Sequence, residues 1–149
     1  MEGTPLFDWG AMMIHVTRRA EFSASHVYHN PKLSPEENRR IFGKCNNPHG
    51  HGHNYTLEVT VAGSINPATG MVVDLKELKI LLEREVLQVM DHKFLNQEVP
   101  AFATKIPTTE NIAVEIWNLL APKLTFGKLH RIRLYETSDL YVDYYGDGT

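Results

Sequence analysis

Residues 44–63 read KCNNPHGHGHNYTLEVTVAG and determine how the rest of the chain is interpreted. In the second half of this segment apolar and polar residues alternate, which predicts a strand with one covered face. The first half is rich in Gly, Asn and Pro and predicts a turn. The apolar positions of the strand are Tyr55, Leu57, Val59 and Val61. His51 and His53 have the same parity, so their side chains project from the covered face.

A second strand is predicted just upstream, from Ile14 to His26, and we expect it to pair with the first. Its even positions are mostly apolar, and His26 continues their parity. Regular pairing of the two strands therefore brings three imidazoles to the same face of one sheet.

Two amphipathic helices are predicted downstream, over 74–90 and 109–120, because apolar residues recur there at helical spacing. A short helix is predicted earlier, capped by Ser34 and ended by Gly43. The last segment alternates on both sides of Thr137-Ser138-Asp139 and predicts a closing hairpin. The order ββααββ predicts an α+β fold, a four-stranded antiparallel sheet with two helices on one face.

The composition is that of one ordinary domain: 149 residues, 42% hydrophobic and 22% charged. We expect a flexible extension at 1–13 and a single domain at 14–149. The net charge of -3, with scattered Lys and Arg, argues against a nucleic-acid partner. No apolar run is long enough for a membrane span and no signal peptide is visible. The single cysteine, Cys45, fits a reducing compartment, so we expect a cytoplasmic protein.

The three histidines His26, His51 and His53 form a candidate metal centre. Three neutral imidazoles with an open fourth position are typical of catalytic zinc, whereas structural zinc normally takes four protein ligands, usually including thiolates. On spacing alone the alternative is equally strong: a polar loop at His51 and His53, and a hydrogen-bonded core histidine at His26.

Cys45 is the candidate base or nucleophile, because neighbouring Lys44 favours a thiolate. A small buried hydrophobe or a fourth metal ligand are its alternatives. Asp91 and His92 follow the first long helix. They are either an acid–base pair or a helix C-terminus with a favourable histidine.

Glu136 shares the parity of the apolar residues of its strand, which places a carboxylate on the covered face. It either forms an internal salt bridge or accepts two adjacent N–H donors from a planar ligand. Thr108 and Thr109 are first of all helix N-cap candidates, with ligand contacts as an additional function.

Six ordered blocks resemble the 6-pyruvoyltetrahydropterin synthase family, and together they cover nearly everything after the N-terminal extension. The blocks are FSASH (22–26), GKCNNPHGHGHNY (43–55), NPATGMV (66–72), MDHKFLN (90–96), PTTEN (107–111) and YET (135–137).

The resemblance implies a set of functional residues. It implies one zinc per chain on His26, His51 and His53, with Cys45 as the base and Asp91 and His92 completing its proton relay. It implies substrate contacts from Glu136, which anchors the pterin ring, and from Thr108, Thr109 and Glu110. It further implies the tunnelling fold, with barrel-forming trimers that stack into a homohexamer and active sites between subunits.

The activity implied is that of a carbon–oxygen lyase, which converts 7,8-dihydroneopterin triphosphate to 6-pyruvoyltetrahydropterin and eliminates triphosphate, as in tetrahydrobiopterin biosynthesis. The alternatives are the sister activity, 6-carboxytetrahydropterin synthase of the queuosine pathway, and a non-catalytic pterin- or zinc-binding module. Five residues, NNPHG, separate Cys45 from His51, as in the pyruvoyl branch. Two positions depart from the family pattern: Val27 replaces a usual basic residue, and His49 replaces an asparagine.

Overall fold

The computed structural model describes residues 13–147. The predicted flexible extension therefore lies outside the described residues, apart from Met13. Within the described part no helix is long and apolar enough to cross a membrane.

The described residues form a sheet of five strands in the order β3-β1-β2-β4-β5. The strands are β1 (Ile14–His26), β2 (His51–Gly63), β3 (Lys93–Phe94), β4 (Lys128–Thr137) and β5 (Leu140–Tyr144). The long neighbours pair antiparallel, whereas β3 runs parallel to β1 beside Ala24 and Ser25. The fold is α+β as predicted, but a purely antiparallel sheet of four strands was wrong. A two-residue strand carries no alternation by which sequence analysis can find it.

The helices follow the predicted order, with short additions. They are α1 (Pro35–Phe42), α2 (Leu75–Leu82), α3 (Gln88–Met90), α4 (Leu95–Glu98) and α5 (Thr109–Leu120). A π-helical turn, Glu83–Leu87, joins α2 to α3, so the predicted helix over 74–90 is one helix with a widened turn. Short 3₁₀ segments lie at Gly43–Asn46, Pro100–Ala103 and Ala121–Lys123.

N-capping side chains, which accept hydrogen bonds from backbone amides of the first turn, explain where the helices begin. Ser34 and Glu37 form a reciprocal capping box at the start of α1, as the sequence predicted. The Asp74 side chain accepts from the Lys76 amide at the start of α2. The hydroxyl of Thr108 accepts from the Asn111 amide and starts α5.

The core lies between the sheet and the helices. Leu57 and Ile132 of the sheet are fully buried, as are Leu78 and Ile116 of the helices. The parity of β1 and β2 that buries Phe22 and Tyr55 also turns His26 inward. The inward-facing positions of β1 and β2 are therefore core residues along most of each strand and candidate site residues at one end.

Candidate metal centre and active site

The three predicted histidines meet at the end of the β1–β2 pair. His26 lies directly opposite His51 in the antiparallel register, and His53 lies opposite Ala24. The expectation that pairing gathers the imidazoles is confirmed. His26 is fully buried, and the other two are partly buried.

The spacing of the imidazoles suits a metal ion. The Nε2 atoms of His26 and His51 are 3.2 Å apart, and one ligand atom from each of the three histidines lies within 4.8 Å of the others. Ligands at about 2.0–2.1 Å from a tetrahedral ion are separated by about 3.3 Å. The Nε2 of His53 is buried and has no hydrogen-bond partner among the described residues. The three histidines can therefore hold a metal ion, and a buried ring nitrogen without a hydrogen-bond partner fits the function of a metal ligand.

A backbone carbonyl fixes the tautomer of His26. Its Nδ1 lies 2.8 Å from the Pro107 carbonyl oxygen, and because a carbonyl only accepts, Nδ1 carries the proton. The Nε2 lone pair then faces His51. Metal-binding histidines typically donate their other ring nitrogen in this way. The Tyr55 hydroxyl lies 3.2 Å from the same Nδ1.

Burial keeps the imidazoles neutral, as ligands must be. Burial is the main reason that the pKa of His26 is lowered to about 4. The hydrogen bond to the Pro107 carbonyl raises the pKa, but by less than burial lowers it. Burial, and then the neighbouring His53, lower the pKa of His51. Both rings therefore present lone pairs at neutral pH.

Glu136 lies beside the histidines. Its Oε2 is 3.6 Å from His53 Nε2 and accepts hydrogen bonds from Thr109 (3.1 Å) and, weakly, from Tyr28 (3.5 Å). Its other oxygen, Oε1, accepts no hydrogen bond from the described residues. One carboxylate oxygen is thus held by the fold and the other is open to a ligand.

Cys45 lies in the 3₁₀ segment after α1, and its carbonyl oxygen accepts from the Tyr28 amide at 2.7 Å. It lines a cavity together with His51. Burial, and then Glu136, raise the pKa of the Cys45 thiol. The expected effect of Lys44 in favour of the thiolate is not among the causes of this shift, so within the described chain the thiol form is favoured.

Asp91 and His92 lie at the outer edge of β1, just before β3. Asp91 Oδ1 accepts from the Ser23 amide at 2.9 Å, which is the largest cause of its lowered pKa, and lies 3.0 Å from His92 Nδ1. His92 borders a small cavity together with Ser23, Asn54 and the candidate metal ligand His53, near the pairing of β3 with β1. Neither Asp91 nor His92 lines the cavity that contains Cys45 and His51.

The backbone of His92 is strained and its side chain is exposed. Its φ of 62° is the one left-handed non-glycine conformation in the described part of the chain, and 82% of its side chain is accessible. The bond from its amide to the Ser23 carbonyl, 2.6 Å, holds this conformation. Strain kept at an exposed imidazole is typical of functional positions.

The remaining predicted contacts surround the start of α5. Thr108 is the N-cap, Thr109 is buried and donates to Glu136, and Glu110 is exposed. Sequence analysis missed Tyr28, Tyr55 and the Pro107 carbonyl. Tyr28 lies two residues after His26 and therefore has the same parity, which was the signal in the sequence that could have placed it in the site.

Fold and site together define an α+β protein with a three-histidine candidate metal centre and a cysteine that lines a cavity with one of the histidines. The family model described as 6-pyruvoyl tetrahydropterin synthase matches residues 15–147. The chain is 52% identical over 132 residues to the 6-pyruvoyl tetrahydrobiopterin synthase of Homo sapiens, covering 89% of this chain and 91% of that protein. It is 31% identical over 149 residues to the 6-carboxy-5,6,7,8-tetrahydropterin synthase of Rickettsia felis, covering 88% and 99%.

A solved structure of 6-pyruvoyl tetrahydropterin synthase from Caenorhabditis elegans is similar in fold, with a TM-score of 0.87 and 38% identity over 91% of this chain and 96% of that one. The chain belongs to the 6-pyruvoyl tetrahydropterin synthase family.

Proposed function

We propose that the protein is a zinc-dependent lyase that converts 7,8-dihydroneopterin triphosphate to 6-pyruvoyltetrahydropterin with loss of triphosphate. The observation that carries the proposal is the convergence of three buried or half-buried imidazoles, one of which, His51, lines a cavity together with Cys45. The high identity to relatives named for the pyruvoyl activity supports it over the carboxy activity.

His26, His51 and His53 hold the metal in this proposal. Three neutral nitrogen ligands and an open position favour zinc in a catalytic site. When bound there, zinc would supply Lewis acidity toward a hydroxyl-bearing substrate, which would make an adjacent C–H more acidic.

Cys45 takes the proton from that carbon, and a proton is returned to the pterin ring as triphosphate leaves. A cation at the histidines would oppose the burial that raises the pKa of Cys45 and so favour its thiolate. Glu136 orients the ring by accepting two adjacent N–H groups, with Thr109 holding one of its oxygens. Thr108 and Glu110 contribute further substrate contacts at the same end of α5.

Asp91 and His92 complete the proton relay of a neighbouring copy. Their position at the outer edge of β1, away from the lining of the Cys45 cavity, and the exposed imidazole of His92 support a site shared between subunits. The outer edge of β1 supports assembly as well, because β3 pairs with only two of its thirteen residues. A homohexamer of two barrel-forming trimers, placed in the cytoplasm, is the assembly we propose.

Incubation of the purified protein with 7,8-dihydroneopterin triphosphate, followed by mass analysis of the products, tests the function. The expected products are 6-pyruvoyltetrahydropterin and triphosphate. A carboxylated pterin with acetaldehyde would assign the sister activity, and no turnover by zinc-loaded protein would assign a binding module. Metal analysis of the purified protein should find one zinc per chain, and another metal or none would contradict the zinc assignment.

A further inference from the structure

Two further histidines meet at the end of the sheet that is remote from the candidate site. The rings of His15 on β1 and His130 on β4 are stacked, with their centroids 4.0 Å apart and their planes inclined by 26°. His15 is the second residue of β1 and His26 is the last, so at about 3.3 Å per residue the pair lies roughly 35 Å from the candidate metal centre. The proposed reaction uses neither ring.

A bulge in β4 turns His130 away from the core. The register with β2 skips one residue between Arg131 and Leu129, and the residue skipped is His130. Because side chains alternate along a regular strand, His130 would otherwise share the inward direction of Ile132. The extra residue shifts this alternation, so Leu129 is buried in the core and His130 projects from the other face, where it meets His15.

The neighbours of the pair hold one ring and leave the other free. Between β1 and β4 lies β2, whose residue opposite His15 is Ala62, so no large side chain separates the two imidazoles. Tyr145 packs edge-on against His130, with 5.5 Å between the ring centroids and 74° between the planes. His130 is thus supported by a neighbouring ring, whereas the exposed His15 can change its rotamer.

Both imidazoles have ring nitrogens available to a ligand. Within residues 13–147 neither ring makes a hydrogen bond or an ion pair, and neither nitrogen of His130 is a buried atom without a partner. Burial, and then the neighbouring His15 and Arg131, lower the pKa of His130, so this ring is neutral and has a free lone pair at neutral pH. Imidazole nitrogens suit zinc, nickel and copper, whereas calcium and magnesium take oxygen ligands.

The two rings need only a small rearrangement to become ligands of one ion. At the candidate metal centre the centroids of each pair of imidazoles are 4.7–5.1 Å apart, and their planes are inclined by 68–87°. Turning the exposed His15 ring and widening the 4.0 Å stack by about 1 Å gives the same arrangement, with nitrogens at about 2.0–2.1 Å from the ion.

We propose that His15 and His130 form a second metal site, which takes a divalent transition ion such as zinc and is independent of the candidate reaction centre. The two imidazoles hold the ion, and water completes its coordination. The site binds more weakly than a three-histidine centre because it supplies one ligand fewer, so protein purified without added metal retains only the first ion. The proposal does not rest on the proposed function.

Calorimetric titration of the zinc-loaded protein with further Zn²⁺ tests the proposal. We expect one more equivalent per chain. His15→Ala and His130→Ala should each raise the Kd of this equivalent at least about tenfold, because losing even an outer-shell partner of a metal costs about 10- to 100-fold in affinity. His49→Ala is the matched control: His49 is also exposed, but no aromatic ring stacks on it in the described part of the chain. It should leave the Kd unchanged.

The His51→Ala variant separates the two sites, since it removes a ligand of the candidate centre and leaves the pair intact. It should keep the weaker equivalent, and loss of that equivalent would show that the ion binds at the candidate centre. Absence of a second equivalent, or equal weakening in His15→Ala and His49→Ala, would also overturn the proposal. His15 is exposed, so His15→Ala decides the test if His130→Ala does not fold. If the second equivalent binds as expected while 7,8-dihydroneopterin triphosphate is not turned over, the pair stands and the proposed function fails.

Discussion

Replacing Glu136 with Gln separates recognition of the pterin ring from metal binding. One oxygen of Glu136 already accepts from Thr109 at 3.1 Å, and the other accepts nothing from the described residues. A bidentate ligand needs both. In Glu136→Gln one acceptor becomes an N–H that faces a ligand N–H, which costs about 1–3 kcal/mol in a site with little water. We expect the KM, and the Kd of a bound pterin, to rise at least about tenfold, since about 1.4 kcal/mol is a factor of ten.

Zinc content is the second measurement, because Glu136 lies only 3.6 Å from His53 Nε2. A pterin anchor predicts one zinc per chain in Glu136→Gln, whereas loss of zinc would make Glu136 a ligand. Glu58→Gln is the matched control: Glu58 is also a buried strand glutamate, but it pairs with Arg19 and Arg131 on the other face of the sheet. Unchanged pterin affinity in Glu136→Gln, or an equal loss in Glu58→Gln, would refute the anchor assignment.

Two variants should separate metal content from turnover. We expect His51→Ala, which removes a ligand, to lose both zinc and activity. We expect Cys45→Ala, which removes the base, to keep zinc while its kcat falls about a hundred- to ten-thousand-fold. Full zinc in the first variant, or none in the second, would contradict these roles. If sites are shared between copies, a refolded equal mixture of inactive Cys45→Ala and His92→Ala chains should recover about a quarter of wild-type activity, since half the copies supply each group; no recovery would place the site within one chain. In metal-free protein the pKa of His26 is about 4 in the fold and 6.5 unfolded, so stability is present above pH 6.5 and is lost as pH falls toward 4. From His26 alone, urea unfolding free energies at about pH 7 and about pH 4.5 should differ by roughly 2 kcal/mol, and a flat profile would show that His26 is solvated.

The sequence was informative where side chains repeat with a period. Alternation along β1 and β2 predicted both the pairing and the face on which His26, His51 and His53 meet, and the structure confirms both. Capping residues located the starts of α1 and α5 equally well, because a cap is a local interaction between neighbouring residues.

Features without a repeat could not be predicted. The two residues of β3 are too few to show alternation, and the π-helical turn Glu83–Leu87 preserves the apolar stripe on which the helix prediction depended. Proximity along the chain was also misleading for the pKa of Cys45. Lys44 is the adjacent residue, yet burial has the largest effect on the pKa of the thiol and raises it. Whether His92 acts on its own chain or on a neighbour depends on three-dimensional position, which sequence spacing does not contain.

The bond from His26 to the Pro107 carbonyl links the metal centre to the beginning of α5. Pro107 precedes the N-cap Thr108, to which the amides of Asn111 and Ile112 donate. Metal binding immobilises the imidazole, and the imidazole in turn restrains the backbone from which the first turn starts. Local opening of that turn is therefore rarer in loaded protein, and these two amide protons exchange with deuterium more slowly than in stripped protein. Ligation at the end of a sheet thereby controls the fraying of a helix.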